Sequence, residues 1–172
     1  MFATKDWLKA SWRAGRDMLR PVTGGSSSSD IHIHQQETPV MVPIRSLGPS
    51  HRERIAQHLL QLEPADRYLR FGYAANDEQI RRYAEQLNFE RDEIFGIYNR
   101  RLELIAMAHL AFSEHPEHKH CAEFGVSVLK QARGRGFGAR LFERAVMHAR
   151  NEGVNMVFIH ALSENTAMLK IA

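Results

Sequence analysis

The feature that most constrains the fold is a glycine-rich turn that joins a strand-like run to a helix-like run. In the run 121–129, the apolar Phe124, Val126 and Val128 alternate with smaller or polar residues, which is the period of a β-strand. The turn Arg-Gly-Arg-Gly-Phe-Gly follows at 133–138. Three glycines in six residues indicate a tight connection whose backbone a ligand can approach closely.

The residues after the turn predict a helix and then a strand. An apolar stripe at helical spacing predicts a helix from 137 to about 151, and Gly153 stands where a C-terminal glycine belongs. Residues 154–162 are almost continuously apolar, which is typical of a strand covered on both faces. A further helix is predicted to start at Ser163 or Glu164. Strand, turn, helix and strand together form a βαβ unit.

A turn of this kind is an anion site. The first turn of a helix leaves backbone N–H groups unpaired at the positive end of the helix dipole, and phosphates commonly bind there. Arg133 and Arg135 add cationic donors. A Walker loop is excluded because Gly138 is followed by Ala139-Arg140 instead of Lys-Ser/Thr. A Rossmann fingerprint is excluded because the three glycines are separated by single residues.

The preceding residues complete an α/β (α+β) domain with a mixed, mostly antiparallel central sheet flanked by helices. Residue patterns predict strands at 40–44, 93–98 and 102–112, and helices at 50–62 and 77–88. Asn99-Arg100-Arg101 reads as a hairpin turn, and Ser50 and Asn76 are candidate helix caps. Arg67, Arg70 and Phe71 fall in the loop predicted between the two helices, where we favour end packing and solvated charge over a place at the border of a ligand site.

The N-terminal residues form a separate unit. Residues 1–20 predict a basic amphipathic helix, and a flexible Gly/Ser linker follows, so we divide the chain into 1–38 and a folded domain, 39–172. The helix suits an anionic membrane surface or a protein partner, and equally a disordered arm or packing against the domain.

Composition limits the classes of function. Lys and Arg exceed Asp and Glu by 23 to 20, which is too small an excess to predict nucleic-acid binding. Cys121 is the single cysteine, which excludes an intramolecular disulfide and fits a reducing compartment. The sequence contains no apolar run of transmembrane length and no signal-peptide core, so we expect a cytoplasmic protein.

The order of these features resembles the GNAT acetyltransferase superfamily. The turn at 133–138 resembles the family's Arg/Gln-x-x-Gly-x-Gly/Ala signature, and the flanking strand, helix and apolar strand, with Asn165 opening the next helix, stand in the family's order. The resemblance covers about residues 39–172.

The resemblance implies a binding site for acetyl-CoA. Val126, Ser127 and Val128 would bind the pantetheine arm through their backbone, and Asn165 would contact the same arm. The pyrophosphate would lie on the turn and the first residues of the helix, namely Arg133, Gly134, Arg135, Gly136, Phe137, Gly138 and Ala139. Acetyl-CoA is then the cosubstrate, and the acceptor is an amine, either a small molecule or a protein lysine.

Glu123 is the candidate general base, because an amine must lose its proton before it attacks a thioester. A salt-bridged or surface Glu is an equally good reading of this position. Many family members place a tyrosine acid seven residues after the Asn, where this chain has Ala172. SENTAMLKIA and DRYLRF resemble the bacterial protein-lysine acetyltransferase branch, which favours a protein lysine as acceptor.

Several alternatives remain open at this level. The family's fold continues past this helix into two further strands, so the C-terminal part looks truncated, or a partner supplies it. The absent tyrosine also fits a catalytically silent module that binds CoA as a sensor or interaction domain. The cluster HPEHKHC at 115–121 contains good zinc ligands, but the spacing matches no standard structural site, so we expect no metal. A homodimer is possible.

Overall fold

The structure is a computed structural model and describes residues 41–159. The chain divides into a unit of residues 1–41 and a unit of residues 42–172, and the second is the one described here. Four predicted features lie outside the described residues. They are the helix at residues 1–20, the linker, the boundary between residues 38 and 39, and the helix after residue 162.

Within residues 41–159, five strands form one sheet. They are β1 (Ile44–Ser46), β2 (Glu93–Tyr98), β3 (Leu104–Phe112), β4 (Cys121–Val128) and β5 (Met156–Ile159), and they lie side by side in chain order. The first four are antiparallel, whereas β4 and β5 are parallel. The predicted fold class and the βαβ unit are therefore confirmed.

The edge strand β1 differs from its prediction. It was expected at 40–44, but pairing with β2 runs from Ile44 to Ser46. Proline has no N–H to donate to a neighbouring strand, and the first paired residue comes directly after Pro43.

Four α-helices accompany the sheet in the described part of the chain. They are α1 (Arg52–Leu60), α2 (Pro64–Phe71), α3 (Asp77–Glu85) and α4 (Phe137–Asn151). Asn76 caps α3 as predicted, since its side chain accepts from Gln79 N at 2.9 Å. Ser50 does not cap α1, because it lies inside a short 3-10 helix that precedes it.

The helix α2 corrects the prediction of a loop at Arg67, Arg70 and Phe71. None of its eight residues is fully buried, and a helix of about two turns offers only a short periodic signal in the sequence. Its ends carry other signals. Pro64 occupies its first turn, and Gly72 follows it with φ +76°, a conformation that glycine adopts without strain.

The helices cover both faces of the sheet. Along β4, Phe124 packs against Phe142 of α4, with ring centroids 5.2 Å apart. The alternate residue Ser127 instead contacts His58 of α1. Because neighbouring residues of a strand point to opposite faces, α1 lies across the sheet from α4. No helix among residues 41–159 is long and apolar enough to cross a membrane.

Candidate functional site

The candidate site lies along β4, beyond the last β4–β5 pair that the described residues include. The parallel pairing runs from Cys121 opposite Met156 to Phe124 opposite Ile159. The next residues of β4, from Gly125 to Val128, continue to pair with β3. Among the described residues, the other edge of this part of β4 therefore has no strand beside it, and its backbone groups are available to an extended ligand.

A cavity of about 370 Å³ lies along this edge. It is lined by residues 123–128 of β4, by 132–134 and 136–139 of the turn and α4, and by Leu62, Asp66, Leu69 and Arg70. The cavity brings together Glu123 and every residue predicted to bind the cofactor except Arg135, which does not line it, and Asn165, which lies outside the described residues.

The turn before α4 has the backbone geometry of an anion site. Gly134 and Gly136 have φ of +76° and +74°, a conformation that favours glycine, and Gly136 is the N-cap of α4. Within the described part of the chain, the N–H groups of residues 134–139 donate to no protein acceptor. A row of unpaired N–H groups at a helix N-terminus stabilises an anion such as a phosphate.

The two arginines of the turn differ in their surroundings. Arg133 forms an ion pair with Asp66 of α2, with 2.7 Å between its Nη2 and Asp66 Oδ2, and its Nε donates to Val128 O at 3.3 Å. Arg133 therefore ties the turn to α2 and β4 at the wall of the cavity. Arg135 instead lies over the ring of Phe137, 5.9 Å from its centroid.

Among the three residues of β4 that were predicted to bind the pantetheine arm, Ser127 alone has a polar side chain. Val126 and Val128 are half-buried, whereas Ser127 is buried, with its hydroxyl 2.8 Å from His58 Nε2. Ser127 therefore lines the cavity while its hydroxyl contacts a buried residue.

His58 is the buried partner that the sequence did not reveal. Its Nδ1 lies 2.8 Å from Leu104 O, so the ring donates there and accepts from Ser127 through Nε2. Burial, helped by the charge of Arg70, lowers the pKa of His58 to about 4. The imidazole is therefore neutral at neutral pH, with both nitrogens paired.

Glu123 lies at the end of the cavity where β4 and β5 still pair. Its side chain is exposed, and by strand alternation it shares a face with Gly125 and Ser127. Burial raises the pKa of Tyr83, and the negative charge of Glu123 contributes to the same shift. The structure thus places Glu123 at the mouth of the cavity.

Arg70 also lines the cavity, although the sequence analysis assigned its charge to solvent. Arg70 Nη2 donates to Tyr83 Oη at 2.9 Å, and Tyr83 Oη lies 2.6 Å from His109 Nδ1. His109 Nε2 in turn lies 2.9 Å from Asp92 Oδ2. No local pattern indicates this chain of contacts, since its members come from α2, α3, β3 and the segment before β2.

Asp92 anchors this chain as a charged group. Burial alone would raise its pKa, but hydrogen bonds from Arg91 and His109 outweigh burial and lower the pKa to about 2. A carboxylate only accepts hydrogen bonds, so His109 donates through Nε2 and accepts from Tyr83 through Nδ1.

The histidine cluster between β3 and β4 lies apart from the cavity. Ligand atoms of His115, Glu117 and His118 lie within 4.8 Å of one another, and all three residues are exposed. His120 and Cys121 do not belong to this group. The cluster shares no residue with the cavity lining.

Comparison with known proteins agrees with this geometry. Residues 53–172 match the model of the acetyltransferase (GNAT) family. The fold is similar to the GNAT domain of S. lividans PAT, at 20% identity over 74% of this chain and 76% of that chain, with a TM-score of 0.62. A search of curated proteins found no match.

Two further solved structures share the fold. One is an N-acetyltransferase from Staphylococcus aureus Mu50, at 16% identity over 75% of this chain and 78% of that chain, with a TM-score of 0.58. The other is a ribosomal-protein-alanine N-acetyltransferase from Brucella melitensis, at 17% identity, 75% and 80% coverage and a TM-score of 0.56. Since the family model spans most of the sequence, the chain belongs to the GNAT acetyltransferase family, whose members transfer an acetyl group from acetyl-CoA.

Proposed function

We propose that this protein is an acetyl-CoA-dependent N-acetyltransferase whose cavity along β4 binds both substrates. The observation that carries the proposal is the row of unpaired N–H groups at 134–139, which opens onto the same cavity as the free edge of β4. The pyrophosphate of CoA would bind this row, and its pantetheine arm would follow Val126, Ser127 and Val128. Asn165 would contact the same arm.

The amine acceptor would react at the Glu123 end of the cavity. Glu123 would take the proton from the ammonium group, directly or through water, and the free amine would attack the thioester carbonyl. A C–N bond then forms, the C–S bond breaks, and the CoA thiolate leaves. A thiol has a pKa near 8.5, so the thiolate is a tolerable leaving group and can take its proton from water.

The first acceptor to examine is a protein lysine. The support is the resemblance of SENTAMLKIA and of DRYLRF at 66–71 to the protein-lysine acetyltransferase branch. DRYLRF forms most of α2, which contributes Asp66 and Arg70 to the cavity wall. Small amines remain in the same screen, because the cavity belongs to an acetyltransferase whatever its acceptor.

The test compares two variants of Gly136 that differ only in charge. Asn and Asp both tolerate a positive φ, and a Cβ at Gly136 would meet no atom within 4 Å, so both variants should fold. Asp would place a negative charge beside the pyrophosphate and should weaken acetyl-CoA binding about tenfold relative to Asn. Titration of the melting temperature with acetyl-CoA measures the difference, since a ligand that binds the folded state raises stability.

Release of CoA thiol with a panel of amines then tests turnover. Turnover supports the proposal, whereas tight acetyl-CoA binding without turnover would favour a catalytically silent CoA-binding module. Equal acetyl-CoA affinity in the Asn and Asp variants would contradict the assignment of the turn as the pyrophosphate site.

A further inference from the structure

The guanidinium of Arg70 occupies the space in which any residue other than glycine at position 125 would place its Cβ. A Cβ built at Gly125 would lie 2.5 Å from Arg70 Cζ and 2.7 Å from both Nη1 and Nη2. The guanidinium therefore rests directly on the backbone of β4. Gly125 follows the last β4–β5 pair among residues 41–159, and it lines the cavity together with Arg70.

The guanidinium is held in this position from behind. Tyr83 Oη accepts from Nη2, and His109 and the charged Asp92 fix the hydroxyl of Tyr83. The rings of Phe71 and Tyr83 also lie near Arg70 Cζ, at 5.1 Å and 5.6 Å. Arginine normally loses considerable side-chain freedom when it is ordered, and these contacts order it before a ligand arrives.

Most of the donors of Arg70 remain available. A guanidinium has five N–H donors, and one of them is used by Tyr83. Within residues 41–159, no carboxylate lies within ion-pair distance of Arg70, whereas Arg133 in the same cavity is paired with Asp66. A planar guanidinium with free donors binds a carboxylate through two parallel hydrogen bonds.

The acetyl donor does not supply this anion at the proposed site. Its phosphates would bind the start of α4, which covers one face of the sheet, whereas Arg70 approaches β4 from the other face, beside Ser127 and His58. The acetyl group itself carries no charge. Of the two substrates, the second is therefore the one that can supply an anion to Arg70.

We propose that Arg70 binds a carboxylate of the acceptor, so that this enzyme acts on amines with an anionic group close to the nitrogen. The inference rests on the proposed function and specifies its substrate. Glu123 and Arg70 line the same end of the cavity with opposite charges, which matches an acceptor that carries both an ammonium and a carboxylate. Such a carboxylate has two sources, the acceptor's own carboxyl group in an amino acid, or an acidic side chain beside a lysine in a protein.

The experiment compares acceptors in matched pairs. One set pairs free amino acids with their amides, and the other pairs short peptides whose lysine is flanked by Glu with the same peptides carrying Gln. Both are measured by thiol release with wild type, Arg70→Gln and Arg70→Lys. Arg82→Gln is the matched control, since Arg82 pairs with Glu78 on its own helix and does not line the cavity.

We expect wild type to prefer the carboxylate-bearing member in one of the two sets, and that set identifies the source. Arg70→Gln should lower kcat/KM for the preferred member about 10- to 100-fold, mainly through KM, because a charge-assisted pair is lost. The neutral member should change less than about threefold. Arg70→Lys should retain part of the preference, and Arg82→Gln should retain all of it. The melting shift with acetyl-CoA should be the same in every variant.

Two results would overturn the inference. Equal kcat/KM for both members in wild type, or an equal loss for both in Arg70→Gln, would show that Arg70 does not read a carboxylate, while the turnover itself would uphold the proposed function. Absence of turnover with every amine, in a folded protein that binds acetyl-CoA, would count against both. Should Arg70→Gln fail to fold, Arg70→Lys still tests the inference, because loss of the paired geometry should lower kcat/KM for the carboxylate-bearing member and leave the neutral member unchanged; an equal effect on both would overturn it.

Discussion

Replacement of His58 should remove a defined part of the pH dependence of stability. The imidazole is buried and neutral, and its pKa in the folded protein is about 4, against 6.5 for an unperturbed histidine. Between these values the unfolded chain binds a proton that the folded protein does not. The neutral ring therefore contributes its full stabilisation above pH 6.5, and this contribution is lost as the pH falls toward 4.

The size of the loss follows from the two pKa values. A separation of this size corresponds to about 3 kcal/mol over the whole window, and to about 2 kcal/mol between pH 7.5 and pH 5. For a domain of this length, such a change lowers the melting temperature by roughly 8 °C. The Ser127 hydroxyl and Leu104 O would also lose good partners if the ring were protonated in place.

The variant His58→Gln separates this effect from the other histidines. A glutamine can donate to Leu104 O through its amide and accept from Ser127 through its oxygen, but it does not titrate. Urea unfolding of both proteins at several pH values from 7.5 to 5 measures the difference in slope. Parallel curves for wild type and variant across this range would refute the assignment of His58 as a buried neutral group.

Two further predictions concern Arg70 and the series of side-chain contacts that links it to Asp92. Gly125→Ala should fold with a change of less than about 1 kcal/mol, because the clash falls on the far end of a long side chain and not on backbone, yet it should push the guanidinium back by about 1 Å. Its thermal unfolding should match wild type while its kcat/KM for carboxylate-bearing acceptors falls, and unchanged kinetics would argue against the close approach of Arg70. Asp92→Asn should lose about 3 kcal/mol in denaturant titrations at pH 7, because Arg91 and His109 lose a buried charged partner. It should also lack the decline in stability that lowering of the Asp92 pKa, from 3.8 to about 2, predicts for wild type below pH 4; an equal decline in both proteins would contradict this role.

The parts of the fold that could be predicted are those with a local signal. The helix α4 follows from one apolar stripe, whose members Phe137, Leu141, Ala145 and Ala149 are all buried. The hairpin of β2 and β3 follows from two strand-like runs around Asn99, whose backbone pairs across the turn with Glu103. The glycines of the anion site were predictable because a backbone with positive φ usually carries glycine, and three glycines in one short turn are evident in the sequence.

The parts that could not be predicted depend on contacts between distant residues. His58 and Ser127 are 69 positions apart, and neither stands in a pattern that distinguishes a buried polar pair from two surface residues. Arg70 was assigned to solvent because the eight-residue helix α2 offers too short a periodic pattern to be predicted as a helix. Its role depends on Tyr83 in the next helix and on a glycine in β4.

His58 and Arg70, the two residues that could not be predicted, both contact the face of β4 that carries Gly125 and Ser127. On the α4 side, Phe124 packs against an aromatic ring, and apolar burial is sufficient to hold the strand. On the other side, Gly125 and Ser127 offer no apolar surface, and that side is filled by Arg70 and His58, each fixed by hydrogen bonds to residues elsewhere in the domain. A buried polar face costs stability where its groups are unpaired. Both ring nitrogens of His58 have partners, and Arg70 donates to Tyr83. The strand can therefore hold an ordered guanidinium beside the cavity, and the proposed carboxylate of the acceptor is the ligand that would use its remaining donors.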